Sequence, residues 1–299
     1  MPLYRYNGGQ LLAYRLVGGS LQRLYLPGES EGEEPDPDPG TPSAWPDATN
    51  TGYLAAGATT LTPWSGPTFL AANQVIDSRI LTGHIIVASH VKITRCQING
   101  RIDCDSANYS LVLEDCNVNA GTVQAPAVGY GNLTIRRCNL VGGANTVIGG
   151  DNVLIEDSWL HDQYLGATAD DHENGFLSNG GKNITLRHNV IHADEPDNGH
   201  GGGVSTNCSL FGDFSPIEDV LIEDCYFPAT PGAYGVSLGY NPSKPYGANP
   251  SNVVFRNNVF EYGPTGNNGV FGPVTGWLDA NGNVFEGNTW EDGEPVSPA

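Results

Sequence analysis

The sequence predicts an all-β fold: a single-stranded right-handed parallel β-helix, preceded by a small β-rich segment. Three observations predict it. Glycine (40) and proline (21) make about a fifth of the 299 residues, too much of the two poorest helix formers for a helical protein. An eight-residue pattern (apolar, x, apolar, x, x, Cys/Asn/Ser, x, apolar) recurs along most of the chain, and internal repetition at a period of 20 residues or more signals a solenoid. The hydrophobic share of 39% is enough to fill the core of such a solenoid.

Residues 1–28 come first. Gly8-Gly9 and Gly18-Gly19 separate apolar-rich runs at 3–6, 10–17 and 20–26, which reads as three short strands joined by hairpin turns. Arg5, Arg15 and Arg23 make this segment +3. Three short strands bury little surface alone, so the segment is expected to pair with something else. Residues 29–46 hold Glu29, Glu31, Glu33, Glu34, Asp36 and Asp38 among prolines, the composition of an extended, self-repelling linker.

Residues 47–299 are the expected β-helix. The pattern starts at Val91 (VKITRCQI), Leu111 (LVLEDCNV), Leu133 (LTIRRCNL), Val153 (VLIEDSWL), Ile184 (ITLRHNVI), Val220 (VLIEDCYF) and Val253 (VVFRNNVF), with a weaker copy at Leu278 (LDANGNVF). Period 2 over the first three apolar positions gives a strand with one buried face. The shift of phase at the sixth position marks a corner, and the next copy lies one layer up at ~4.8 Å. That sixth position reads Cys96, Cys116, Cys138, Ser158, Asn189, Cys225, Asn258 and Asn283, so four of six cysteines are expected as buried thiols on one ladder. A second strand per coil is expected from the alignment of Gly175-Phe176-Leu177, Gly203-Val204-Ser205, Gly235-Val236-Ser237 and Gly269-Val270-Phe271. Gly235–Gly239 also matches GxSxG, but a nucleophile elbow needs a helix after the strand, and Tyr240-Asn241-Pro242 follows instead.

Charge narrows the partners. Against 33 acids stand 13 Lys plus Arg, a net charge of −20, which disfavours nucleic acid and anionic membrane surfaces. No CxxC pair, no apolar run of transmembrane length and no apolar stretch of a secretory signal is visible.

The candidate site is a pair of long segments, 161–174 and 192–202, expected to leave one edge of the solenoid from adjacent coils. They carry His161, Asp162, Tyr164, Asp170, His172, His192, Glu195 and Asp197 as candidate substrate-binding residues. Asp171 and Glu173 are the candidate acid–base pair, with Asp194 or His200 assisting. His161 is expected beside His192, and His172 beside His200. Clustered carboxylates can also cleave a glycosidic bond from both sides or hold a divalent cation such as calcium, although no cofactor is required by the pattern.

Several stretches carry a resemblance. PDATNTG (46–52), GATTLTPWSGP (57–67) and WEDGEPV (290–296) resemble a family of right-handed β-helix domains of pectate-lyase-like architecture, found in actinobacterial proteins and in minor tail proteins of phages infecting those bacteria. The likeness spans residues 46–296. MPLYRYNGGQLL followed by an acidic linker is similar to the virion-anchoring starts of such tail proteins. The resemblance implies a homotrimeric tail spike in the virion tail, made in the host cytoplasm and acting outside the cell. Residues 1–28 would dock on other tail proteins, and the β-helix would face host surface glycans. The function expected is recognition of cell-envelope carbohydrate, with a depolymerase or a structural rod as the alternatives. Gly199-His200-Gly201 and Glu173-Asn174-Gly175 are similar to motifs of polygalacturonase-type glycosidases, but no Asp-Asp pair stands between those two sites and no Arg-Ile-Lys follows. The loops also hold no Lys or Arg of the kind calcium-dependent pectate lyases use.

Overall fold

The protein is described by a computed structural model over residues 3–7, 10–17, 20–24 and 44–298, so nearly all of the acidic linker lies outside the described residues. The chain divides into two compact units after Ala44. The first contains a three-stranded antiparallel meander of Leu3–Asn7, Gln10–Val17 and Ser20–Leu24. Asn7 pairs with Gln10 and Val17 with Ser20, so each connection is as short as the Gly-Gly pairs require.

The second unit is a right-handed parallel β-helix of three stacked parallel sheets with 9, 10 and 9 strands. The first face includes Val91–Thr94, Leu111–Glu114, Leu133–Arg136, Val153–Glu156, Gly181–Arg187, Ile217–Glu223 and Ser251–Arg256. In the first four, odd positions are buried and even positions half-exposed, as the period-2 pattern requires. The second face follows after two residues, the corner and the sixth position of the pattern, for example Gln97–Asn99, Asn117–Asn119, Asn139–Val141 and Trp159–His161. The third face includes Ile102–Cys104, Pro126–Tyr130, Asn145–Gly149, His172–Ser178, Gly203–Leu210 and Tyr234–Leu238.

The corner after the first face turns on one residue in the left-handed region. Arg95, Asp115, Arg137, Asp157, His188, Asp224 and Asn257 occupy it with φ between 49° and 55°. Such a conformation costs a non-glycine residue about 1–3 kcal/mol and persists only where its surroundings enforce it. Those surroundings are the sixth-position ladder. Each ladder side chain accepts the backbone N–H of the ladder residue one coil earlier: Cys96 N–H to Cys116 Sγ (3.3 Å), Cys138 N–H to Ser158 Oγ (3.0 Å), Ser158 N–H to Asn189 Oδ1 (2.9 Å) and Cys225 N–H to Asn258 Oδ1 (3.0 Å). It also donates to a first-face carbonyl: Cys138 Sγ to Arg136 O (3.2 Å), Asn189 Nδ2 to Ile155 O (2.8 Å), Asn258 Nδ2 to Ile222 O (3.1 Å). Cys, Ser and Asn recur because each is small and both donates and accepts. All six cysteines are free and buried.

A second left-handed corner precedes the first face. Asn132, Asn152, Asn183 and Asn252 occupy it (φ 51–58°), and their side chains form an outer amide ladder, Asn183 Nδ2 to Asn152 Oδ1 and Asn152 Nδ2 to Asn132 Oδ1, each 2.9 Å. Asparagine tolerates this region better than most residues.

Two expectations are corrected. The last copy of the pattern begins at Asn283, not Leu278: Val284, Phe285 and Glu286 pair with Val254, Phe255 and Arg256, and the ladder residue is Asn288, which accepts Asn258 N–H at 3.0 Å. On the third face Phe176 pairs with Cys208, Val236 and Val274 in turn, so Gly203 and Gly269 are not the partners of Gly175 and Gly235. Cys208 is therefore an apolar filler of that stack, between a Phe and a Val. Ser237 of the GxSxG match is buried in a strand followed by a loop, as its context required.

Between the linker and the first coil, residues 45–55 run back along the outside of the first corner. Trp45 stacks on His188 and Tyr226 at 5.5 and 5.4 Å, and Gly52 N–H donates to Arg137 O at 2.8 Å. Gly52 has φ +81°, and a Cβ there would lie 2.0 Å from Asn117 Oδ1. At the other end Trp290 stacks on Tyr262 (4.3 Å) and Val296 is buried, so the closing stretch covers the last coil.

The fourth position of the repeat alternates in sign up the first face. Glu114, Arg136, Glu156, Arg187, Glu223 and Arg256 are linked by contacts of 3.4, 2.9, 2.7, 2.6 and 2.7 Å. In-register stacking would set like charges against each other, and alternation removes that cost. Burial opposes the charge of Glu223, but hydrogen bonds from Arg187 and Arg256 outweigh it and hold its pKa below the ordinary 4.5. Its contribution is therefore complete above pH 4.5 and lost as pH falls through the folded-state value. Glu223→Gln is expected to lower stability at pH 7 by about 1–2 kcal/mol, discounted because both arginines are partly exposed. Melting curves from pH 7 downward should show the gap to wild type closing below pH 4.5. A gap that stays constant would mean that the ladder's charge contributes nothing.

Candidate functional site

The two loops leave the solenoid where the second face gives way to the third. Residues 162–171 connect Trp159–His161 to His172–Ser178, and 192–202 connect Val190–Ile191 to Gly203–Leu210 in the next coil. They interlock. Asn198 Nδ2 donates to the carbonyls of Gly166 (2.7 Å) and Thr168 (2.9 Å), and its Oδ1 accepts the N–H groups of His200 (2.8 Å) and Gly202 (3.1 Å). Gly203 N–H donates to Asp171 O at 3.1 Å. Gly202 must be glycine for this approach, since a Cβ would lie 2.4 Å from Thr168 O. Asn198→Ala should raise amide exchange at 166–168 and 199–202 while costing about 1 kcal/mol or less globally, because such loops open locally. Unchanged exchange at those amides would rule Asn198 out as the tie between the loops.

His161 and His192 are adjacent, as expected from Leu160 pairing with Ile191. Both are committed to structure. His161 Nδ1 meets Asp162 Oδ2 (2.9 Å), its Nε2 meets Asn139 Oδ1 (3.0 Å), and its ring lies on Trp159. Burial pushes its pKa below the ordinary 6.5, against the pull of Asp162. His192 Nε2 donates to Ala229 O at 3.0 Å. His172 and His200 do not share a register: His172 pairs with Gly203, both imidazoles are exposed, and the slip of three residues comes from the longer ordered turn around Asn198.

The carboxylates divide into three kinds. Asp162, Asp170, Asp194 and Asp197 are exposed. Asp171 is held ionised: Thr168 N–H (2.7 Å), Thr168 Oγ1 (2.8 Å) and Gln124 Nε2 all donate to it, and these hydrogen bonds lower its pKa. Glu173 is the opposite case. It is 0% exposed, and neither carboxyl oxygen has a hydrogen-bond partner. Burial pushes its pKa up to about 8, reinforced by Glu195, Asp194 and Asp171, all of the same sign. Glu195, half-buried, is raised by burial and by Asp194 and Asp162. Asp162, Asp171, Glu173, Asp194 and Glu195 thus share one electrostatic neighbourhood. Tyr164 lies half-buried in the first loop, its N–H on Gly143 O at 2.9 Å.

Sequence reasoning missed the polar residues packed behind this edge. Asn174 Nδ2 donates to Asn145 Oδ1 (2.9 Å), Asn174 Oδ1 accepts from Ser209 Oγ (2.6 Å), and Ser209 meets Thr206 Oγ1 (2.7 Å). Gln163 is buried and donates to Thr146 Oγ1 (2.6 Å) and His192 O (2.9 Å), while its Oε1 has no partner. The only signal for them was the Asn-rich composition. A separate cluster of His84, Arg101 and Asp103 lies on the third face, with His84 Nε2 2.7 Å from Asp103 Oδ2.

Two cavities, of about 170 and 300 Å³, open at the corner between the third and first faces, away from the loops. Among the described residues no group of three or more His, Cys, Asp or Glu is arranged to hold a metal ion. No protein-family model, no curated protein and no solved structure matches the chain.

Proposed function

We propose that the protein is a tail-associated β-helix that recognises cell-envelope carbohydrate through the edge formed by loops 162–171 and 192–202, working as a homotrimer outside the cell that made it. The observation that carries this reading is the interlocked edge itself. Exposed Asp162, Asp170, Asp194 and Asp197 present acceptors for sugar hydroxyls on a rigid scaffold, and neither loop contains Lys or Arg. Such an edge suits a neutral or amino-bearing glycan and repels an anionic one. The tail association and the docking of residues 1–28 on tail proteins rest on the resemblance of PDATNTG, WEDGEPV and the N-terminal stretch.

One observation favours hydrolysis as a second reading. Asp171 is held ionised and Glu173 neutral at pH 7, the division of labour a base and a general acid need. Against it, the Asp171 oxygens already accept three hydrogen bonds. The test is full-length protein incubated with cell-wall polysaccharide, following retention, new reducing ends and unsaturated products together. Retention without products is expected. New reducing ends would replace recognition by hydrolysis, and neither retention nor products would leave a structural rod.

A further inference from the structure

The acidic edge contains one feature that solvated carboxylates do not explain. Glu173 is 0% exposed with both oxygens unpartnered, and Gln163, 3% exposed, leaves its Oε1 unpartnered in the same pair of coils. A buried carboxyl without a hydrogen bond is costly in either protonation state, and native structures keep few such groups without a use for them. The charges that act on Glu173 are those of Glu195, Asp194 and Asp171, all acids. The loops supply no Lys or Arg, so the chain itself brings no cationic donor to these oxygens. In the next coil Glu173 pairs with Val204, near the start of its strand and just after the irregular segment 192–202, which can open without disturbing the stacked strands.

We propose that Glu173 is the buried anchor for a primary ammonium group, so that the glycan recognised at this edge carries an unacetylated amino sugar. This deepens the carbohydrate reading and rests on it. An ammonium group offers three N–H donors and one positive charge, matching an acceptor-only set inside a like-charged neighbourhood. A neutral hydroxyl would satisfy one oxygen and bring no positive charge into the like-charged neighbourhood. An N-acetylated sugar presents one amide N–H and no charge. Asp194 and Glu195, whose charges act on Glu173, complement the same cation. Glu173, neutral in the free protein near pH 7, releases its proton to solvent as the ammonium arrives, and the ion pair takes the place of an isolated acid.

The test compares a glucosamine trisaccharide with its fully N-acetylated counterpart by calorimetry on the full chain, in physiological salt. The amine form is expected to bind at least about tenfold more tightly, because a desolvated charge pair is worth that much discrimination. Glu173→Gln should abolish the preference. That variant keeps the side-chain shape and differs by one buried group, so nonspecific attraction of a cation to the acidic surface is the same in both proteins. Equal affinity for the two trisaccharides overturns the proposal, as does a preference that survives Glu173→Gln. Binding of neither, with cell-wall polysaccharide also unretained, overturns the carbohydrate reading beneath it.

Discussion

Glu173→Gln is expected to stabilise the protein at pH 8 and leave its stability at pH 4 nearly unchanged. The sign follows from linkage. In the unfolded chain Glu173 releases its proton near the ordinary 4.5, and in the folded chain burial and three neighbouring acids delay release to about 8. Below pH 4.5 both states hold the proton, and acid and amide are alike neutral. Between 4.5 and 8 the folded state binds more protons than the unfolded state, so wild-type stability falls as pH rises. The full interval corresponds to about 5 kcal/mol at 1.36 kcal/mol per unit. Halving it for solvent that screens the surrounding acids leaves about 2–3 kcal/mol, or about 5–10 °C in Tm for a unit of this size. Melting curves at pH 4, 6 and 8 check this directly. Parallel pH profiles for the two proteins would show that Glu173 is not a buried acid. A variant that is more stable at pH 8 yet no longer retained on polysaccharide would place the stored cost at the binding site, the usual exchange of stability for function.

The coil was legible because its constraints are local and repeated. A strand, a one-residue corner and a small donor–acceptor residue must recur at each level, and Cys96, Cys116, Cys138 and Asn189 keep that register however long the loops between them grow. The last copy was misplaced for a physical reason. Asn281-Gly282 is the left-handed corner that precedes the first face, whereas the corner after it is Gly287, followed by the ladder residue Asn288. The third face was less legible. Its strands begin irregularly, with a register shift between Glu173 and Asn174 against Val204 and Thr206. Its interior there is polar, so alternation of apolar residues gave no phase, and the Gly-Val dipeptides supplied a false one. The charge ladder of Glu114 to Arg256 was written at position four throughout, yet it becomes visible only when coils of 20 to 36 residues are stacked. The candidate site was legible as two acidic loops. Which acid is held ionised and which is buried was not, because Thr168, Gln124 and the cover over Glu173 are tertiary.

The corner ladder makes the second large prediction. If its residues were chosen only to fill a small space, apolar replacements would be tolerated. If they close hydrogen bonds that the turning backbone cannot make for itself, polarity matters more than bulk. Asn258 tests this. Its Oδ1 accepts Cys225 N–H at 3.0 Å and its Nδ2 donates to Ile222 O at 3.1 Å and to Asn288 Oδ1 at 2.9 Å. Asn258→Leu keeps a similar volume and orphans two buried backbone groups, each costing about 1–3 kcal/mol. A loss of about 3–5 kcal/mol is expected, on the order of 10 °C in Tm. Cys138→Ser should cost about 1 kcal/mol or less, since Ser158 already performs the same exchange one coil later, accepting Cys138 N–H at 3.0 Å and donating to Glu156 O at 2.8 Å. Thermal melts of both variants decide between the two accounts. The reverse order, Leu tolerated and Ser not, would reduce the ladder to apolar filling. The expected order makes each coil dependent on the next for closing its corner, so damage at Asn258 should spread first to the coils beyond it, as in a chain of nearest-neighbour units.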